Sequence, residues 1–475
     1  MSDAALSASR PLLEPCRIYV HSSSRSISEQ LVPRRWEHNQ YAVELWLQRA
    51  VHRAPWRVSL SERPDLILVA ANFSLYCSAG RTYQRRLLWD ELMSSETIYA
   101  SQVPMLLPLQ YGGCAEPWVG ATTLRQRRKR PKGMLLLLDL AMRMGADRRN
   151  HSVVSPFLVS QPAELVVQVV ARSFAALPWA SRKLLFFAGH VPKLYLNGLR
   201  YHLWRQLRTD RANATTISST LACTIGVFAQ CRQSDAELTK QPPSFFTSFC
   251  HAYSQSHCGL QPPFSSRCGG STRYTPAQAR AKFRRTCDHY KSVDFGAELP
   301  DMLLDTRRLS HAAYIAAAAR HRFCLVAPGD FASTHKVTEA MAIGGAGGCI
   351  PVFVLNSQQR EAIDAERDVV GVLPYARWLD YCDVAYLVPA AAAQNNIGAV
   401  MRQLSAISAA EAATKLAALR RVRDAFVFRK GSDLAKPSAA EYILSEACAA
   451  GRRWLRTGSA AFAPAAMTVS RCTLP

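Results

Sequence analysis

The residues of this 475-residue chain best suited to chemistry gather between positions 329 and 348. Gly329, Asp330, Ser333, Thr334, His335 and Lys336 follow directly on the apolar run Phe323–Ala327, and Glu339 comes one helical turn later. Ser333 or Thr334 can cap a helix starting there, and the free N–H groups of its first turn favour an anion such as a diphosphate. His335 and Lys336 would add positive charge, and the Glu339 carboxylate could accept hydrogen bonds from ribose hydroxyls. The same pattern also suits an ordinary N-cap with exposed charges. Gly344, Gly345, Gly347 and Gly348 precede the next apolar run. Glycines there let backbone approach a ligand, or simply end a helix. Gly189 and Arg200 form a parallel case upstream. Arg200 could offer a diphosphate a fork of donors, or be a plain surface arginine.

The elements that must position these groups alternate between strand and helix. An Ala-rich helix, His311 to Arg320, leads into strand Phe323–Ala327. The turn Pro328-Gly329-Asp330 follows, then a helix from about Ser333 to Ile343, then strand Ile350–Leu355. This order is a βαβ unit of a parallel sheet, whose ligands sit outside the carboxyl ends of the strands. Lys183–Ala188 and a helix around Arg200 to Leu207 open the same half. Earlier, Arg17–Val20, Pro64–Ala70, Val103–Leu109 and Val153–Val159 read as strands, and Asn39–Val51 and Tyr83–Met93 as helices. Leu404 to Phe428 is mostly helical. The organisation expected is a flexible tail over 1–14, a first lobe over 15–178, a second lobe over 179–430, and a C-terminal helix and tail over 431–475.

Hydrophobic residues make up 49% and charged residues 20%, which excludes a mainly disordered chain. The formal charge is +23, so an anionic partner is expected: a nucleotide, an acidic glycan, nucleic acid or a membrane surface. Nucleic acid ranks last, because no recognition motif accompanies the charge and the basic residues are spread along the chain. A block from Ala121 to Asn150 holds nine Lys or Arg against two Asp, and reads as a solvated loop or a surface for an acidic polymer. No run of 18 apolar residues could span a membrane, and residues 1–15 do not read as a secretory signal. Six of the 14 cysteines fall between Cys223 and Cys287, within a Pro-, Ser- and Gly-rich stretch at about 230–290 that reads as an insertion. Disulfides are expected there rather than zinc, since no Cys-x-x-Cys pair occurs. N-x-[ST] triplets stand at Asn72, Asn150 and Asn213. They and the cysteines hint at an oxidising compartment.

His321-Arg-Phe-Cys-Leu-Val-Ala-Pro-Gly-Asp330, Glu339-Ala-Met and Gly348-Cys-Ile-Pro-Val352 together resemble the core of the exostosin-like glycosyltransferases. Leu373-Pro-Tyr-Ala-Arg-Trp-Leu-Asp-Tyr381, ending at Val388-Pro389, is similar to the segment that follows it in that family. Phe186-Phe-Ala-Gly189 with Arg200 resembles the opening of the donor lobe. Pro64-Asp65-Leu-Ile and Asn150-His151-Ser-Val-Val-Ser155 are weaker first-lobe matches. The matches run from about 17 to 430, and those at 321–389 are the specific ones.

The resemblance implies a GT-B-like α/β fold, two Rossmann-like lobes with a cleft between them. It implies an inverting transfer from a nucleotide sugar, usually a UDP-sugar, to a glycan or polysaccharide acceptor in the Golgi lumen. The donor would sit on the second lobe, against Gly189, Arg200, Gly329, Asp330, Ser333, Thr334, His335, Lys336, Glu339 and Gly348. The chain departs from the family in having His335 and Lys336 where two basic residues, commonly arginines, are usual, and in three extra residues between Glu339 and Gly348. A catalytically inactive relative, acting as a glycan-binding or partner subunit, is the alternative that this departure motivates. A base for the acceptor hydroxyl should come from the first lobe, with Asp147, His151 and Asp90 as candidates. No cofactor and no metal are expected. The chain contains no Asp-x-Asp triplet, and a helix N-terminus with basic side chains can stabilise a departing UDP.

Overall fold

The computed structural model describes residues 13, 16–22, 37, 42–53, 55–78, 87–88, 90–91, 94–95, 102–108, 134–138, 152–156, 158, 163–174, 177–189, 199–207, 214–218, 311–328, 334–355, 373–430, 436–458 and 471–474. Asp147, His151, Gly329, Asp330, Ser333 and the cysteines from Cys223 to Cys287 lie outside them, as do Asn150 and Asn213.

The chain forms an α/β structure with two separate parallel sheets and flanking helices. The first half runs β1 (Ile18–His21), α1 (Val43–Arg53), β2 (Leu66–Val69), α2 (Phe73–Ser78), β3 (Met105–Pro108), β4 (Met134–Leu138) and β5 (Ser152–Val154). Its strands lie side by side in chain order, all parallel. Leu66 to Val69 and Met105 to Leu107 are buried throughout, as expected of strands covered on both faces. β4 lies within the basic block around Ala121–Asn150, which is therefore not one continuous solvated loop. Its Met-Leu-Leu-Leu-Leu run supplies a strand between two charged flanks.

The second half runs α3 (Ala163–Phe174), β6 (Lys183–Gly189), α4 (Leu199–Leu207), β7 (Ala214–Ser218), α5 (His311–Ala319), β8 (His321–Val326), α6 (Lys336–Gly345), β9 (Ile350–Leu355), α7 (Tyr381–Val384), β10 (Tyr386–Pro389), α8 (Ala390–Ala406), α9 (Ala409–Val422) and α10 (Ala439–Thr457). Its sheet has the order β10-β9-β8-β6-β7. The chain leaves β6 towards β7 on one side and returns to lay β8, β9 and β10 on the other. That reversal creates a topological switch point between β6 and β8, where ligands bind in open α/β sheets. α3 packs on α5 and α6, and so belongs with the helices of this half, although the sequence reading put residues up to 178 in the first lobe. The long helical stretch from Leu404 is broken at Ser408, whose hydroxyl accepts the Glu411 N–H at 3.1 Å and starts α9 afresh.

The last segment works across both halves. α10 opens with a capping box in which Ser438 and Glu441 satisfy each other's donors. Its first turns meet the second half, where Tyr442 lies beside Tyr375 and Trp378, and Glu446 takes the Arg377 guanidinium at 3.0 Å. The same helix packs on α1, β2 and β5 of the first half, and Cys448 is disulfide-bonded to Cys16. Residues 471–474 then return to β10, with Leu387 N–H donating to Cys472 O and Leu474 N–H to Leu387 O. The Cys382–Cys472 disulfide and Arg471, held by Asp380 and Asp383, fix that return. A third disulfide joins Cys324 of β8 to Cys349. Asn72 is fully buried and accepts a bond from Gln48 Nε2, so its N-x-[ST] triplet is closed to a glycan in the folded chain. No helix among the described residues is long and apolar enough to cross a membrane.

Candidate functional site

The carboxyl edge of the second sheet gathers most of the described candidates. β6 ends at Gly189 and α4 begins ten residues later, placing Arg200 in the first turn of α4 beside that edge. Its guanidinium donates from Nε to Pro328 O (2.8 Å) and Ala327 O (3.2 Å), and from Nη2 to Ala327 O (2.8 Å). Arg200 thus spans the switch point, tying α4 to the carboxyl end of β8, and is not a loose surface residue. A Cβ on Gly189 would stand 3.6 Å from Arg200 Nη1, so the glycine faces the guanidinium without being sterically required there.

α6 enters the same edge. It begins at Lys336, a few residues later than the sequence suggests, and Thr334 makes the turn: its Oγ1 accepts the Lys336 N–H at 3.3 Å and its carbonyl the Val337 N–H at 3.0 Å. Glu339, only 4% exposed, points into a cage of side chains. Lys336 Nζ donates to Glu339 Oε2 at 2.6 Å and lies 3.8 Å from the centre of the Tyr314 ring. His335 Nε2 and His311 Nε2 each stand 3.7 Å from Glu339 Oε1, and the Tyr314 hydroxyl hydrogen-bonds the same carboxylate. Burial alone would push the Glu339 carboxyl up, but Lys336, His335 and His311 outweigh it and hold the group at about 2. Glu339 is therefore an anion whose charge is already answered from within the fold.

The two imidazoles respond the other way. His335 titrates below its ordinary value because the protein packed around its ring disfavours the cation, although 42% of its side-chain surface stays open; Glu339 opposes this, while Lys336, Arg200 and His311 reinforce it. His311 is lowered too, by burial first, against the pull of Glu339 and with Lys336 adding to the depression. Both are neutral at pH 7, so His335 does not bring the fixed positive charge expected from the sequence. Sequence reasoning missed His311 and Tyr314 altogether. Their spacing, i and i+3 on α5, puts them on one helix face, a signal visible only once α5 is known to begin beside the start of α6.

Gly348, also expected at the donor site, stands apart from the other described candidates. It precedes β9 at the amino-terminal edge, where Phe323 pairs with Ile350, a full strand length from Arg200 and the start of α6. Its N–H closes α6 by donating to Ile343 O at 2.9 Å, and a Cβ there would meet Ile343 Cγ2 at 2.4 Å and that carbonyl oxygen at 2.8 Å. Gly347 beside it has φ +92°, so the pair ends a helix.

In the first half, Asp90 is exposed. The strongly perturbed carboxyl there is Glu44, 2% exposed, which accepts from Ser74 N and Oγ at 3.4 Å and is raised to about 8 by burial. His21, at the carboxyl end of β1, is lowered by burial against the pull of Glu91. Among the described residues no group of three or more His, Cys, Asp or Glu could hold a metal ion.

No protein-family model matches the chain. A search of curated proteins finds no relative.

Proposed function

We propose that this chain is an inverting glycosyltransferase that moves a sugar from a nucleotide sugar, a UDP-sugar in the first instance, to a glycan or polysaccharide acceptor. The observation that carries the reading is the switch point between β6 and β8. Arg200 crosses it, and the first turn of α6 presents His335, Lys336 and Glu339 beside it. Arg200 and Glu339 are among the residues on which the exostosin-like resemblance rests, His335 and Lys336 stand where that family commonly has arginines, and an edge of this kind suits a diphosphate. The finer architecture belongs to the same proposal: the two parallel sheets would be the lobes of a GT-B-like enzyme, with the acceptor on the first and the donor on the second. The acceptor's proton would pass to a first-lobe base, for which Asp147, His151 and Asp90 remain the sequence candidates. Residence in the Golgi lumen is part of the reading, and disulfides at Cys16–Cys448, Cys324–Cys349 and Cys382–Cys472 support an oxidising compartment.

One observation favours a second reading, a donor-binding relative without transferase activity. Lys336 is committed to Glu339 and His335 is neutral, which leaves less fixed positive charge than a pair of arginines would supply. A thermal-shift and hydrolysis screen against UDP-sugars separates the outcomes. Stabilisation with turnover supports the enzyme, stabilisation without turnover the inactive relative, and no shift with any nucleoside diphosphate at millimolar concentration refutes both.

A further inference from the structure

The polar cluster at the start of α6 has an unusual charge balance for a diphosphate site, and the balance itself suggests how it works. This argument rests on the nucleotide reading above. Lys336 and Glu339 neutralise each other at 2.6 Å. Arg200 keeps its charge, but its Nε and Nη2 donors are engaged by the Ala327 and Pro328 carbonyls. What remains beside the pair is two imidazoles, each 3.7 Å from the same carboxylate oxygen. His335 keeps 42% of its side-chain surface open and His311 27%, so both can be reached from outside, whereas Glu339 at 4% cannot. The His311 Nε2 atom itself is buried and makes no hydrogen bond.

We propose that binding of a diphosphate at this edge is coupled to proton uptake by His335, with His311 as the second acceptor, so that donor affinity rises as the pH falls below neutral. The groups facing His335 are Glu339 and Lys336 on its own helix, Arg200 from α4 and His311 from α5. Three of the four oppose its cation, and only Glu339 favours it. An incoming diphosphate brings negative charge to the same face and reverses that sum. The imidazole then gains a proton and becomes a donor at both ring nitrogens. A group whose pKa is higher in the complex than in the free protein takes up a proton on binding, and binding is then tighter at lower pH.

The test is calorimetric titration of the full chain with UDP-glucose and with UDP-N-acetylglucosamine at pH 5.5, 6.5 and 7.5. The diphosphate diester of these probes does not itself titrate in that range. Each titration is repeated in two buffers of different ionisation enthalpy to count protons. The expected result is a gain of about tenfold in affinity from pH 7.5 to 5.5, with net proton uptake, which requires the bound diphosphate to lift His335 from about 4 to about 6.5. His335→Asn should flatten the profile, and His311→Gln should reduce its slope, with folding checked by circular dichroism. Binding that is equal at all three pH values without proton uptake overturns the coupling and leaves the nucleotide reading intact. An unchanged slope in His335→Asn overturns the assignment to that residue. No binding of either probe at any pH overturns the coupling together with the nucleotide reading.

Discussion

Replacing Glu44 by Gln should make the protein more stable at neutral pH, although it removes an ionisable group from a hydrogen-bonded position. The carboxyl sits in the first turn of α1, 2% exposed, with Oε2 facing Ser74 N–H and Oγ at 3.4 Å and Oε1 without any partner. Among the described residues no cation faces it, and burial raises its folded value from 4.5 to about 8. Because the folded value is the higher one, the stability linked to this group is complete below about 4.5 and is lost as the pH rises to 8. Each pH unit in that window costs about 1.4 kcal/mol, so holding the proton at pH 7 costs about 3 kcal/mol relative to acid. A glutamine places its amide oxygen where Oε2 accepts and its NH2 where Oε1 has no partner. It therefore copies the protonated carboxyl and removes only the titration. Urea unfolding of the parent and Glu44→Gln from pH 5 to 8 should give curves that start close together and separate by about 3 kcal/mol near pH 7. Parallel curves would show that the carboxyl ionises without penalty, and the reasoning from its burial would be refuted.

Three further outcomes are expected. Gly348→Ala should destabilise the fold by about 1–3 kcal/mol, through overpacking against Ile343, while UDP affinity measured by calorimetry stays within about twofold. A large loss of affinity in a folded variant would return Gly348 to the donor site. Glu339→Ala should lower the melting temperature, because it leaves the partly buried Lys336 ammonium without the carboxylate that answers it at 2.6 Å; an unchanged melting temperature would show that the pair contributes nothing to the fold. Sugar transfer should survive EDTA, and loss of activity that Mn²⁺ restores would sink the metal-free mechanism.

Much of the second half could be read from the sequence, because parallel strands announce themselves as apolar runs. Phe323–Ala327 and Ile350–Leu355 fall on β8 and β9, and the helix between them is shifted by only a few residues. β4 was hidden because charged flanks on both sides of Met134–Leu138 dominate any composition window wide enough to suggest a loop. The roles of Gly348 and Arg200 depended on topology. Which end of a strand a residue occupies follows from spacing, but the Ile343 carbonyl against Gly348 and the Ala327 carbonyl against Arg200 are contacts of the folded chain. Glu339 was found as a residue, but not as the centre of a cage, because His311 and Tyr314 arrive from a separate helix. The cysteine pairs were likewise out of reach, since Cys16 and Cys448 stand 432 residues apart and no spacing rule connects them.

That same pairing sets a schedule for the protein's synthesis. A covalent link across 432 residues cannot form until Cys448 itself has been made, and the helix that carries Cys448 is also the one that packs on α1, β2 and β5. The half that leaves the ribosome first is thus the half finished last. At about 5–20 residues per second it waits for tens of seconds with the surface meant for α10 uncovered. The cysteines of the second half emerge during that interval as possible wrong partners for Cys16. Oxidative folding of this chain should therefore depend on a disulfide isomerase acting once Cys448 has emerged, more than on the order in which its strands are made.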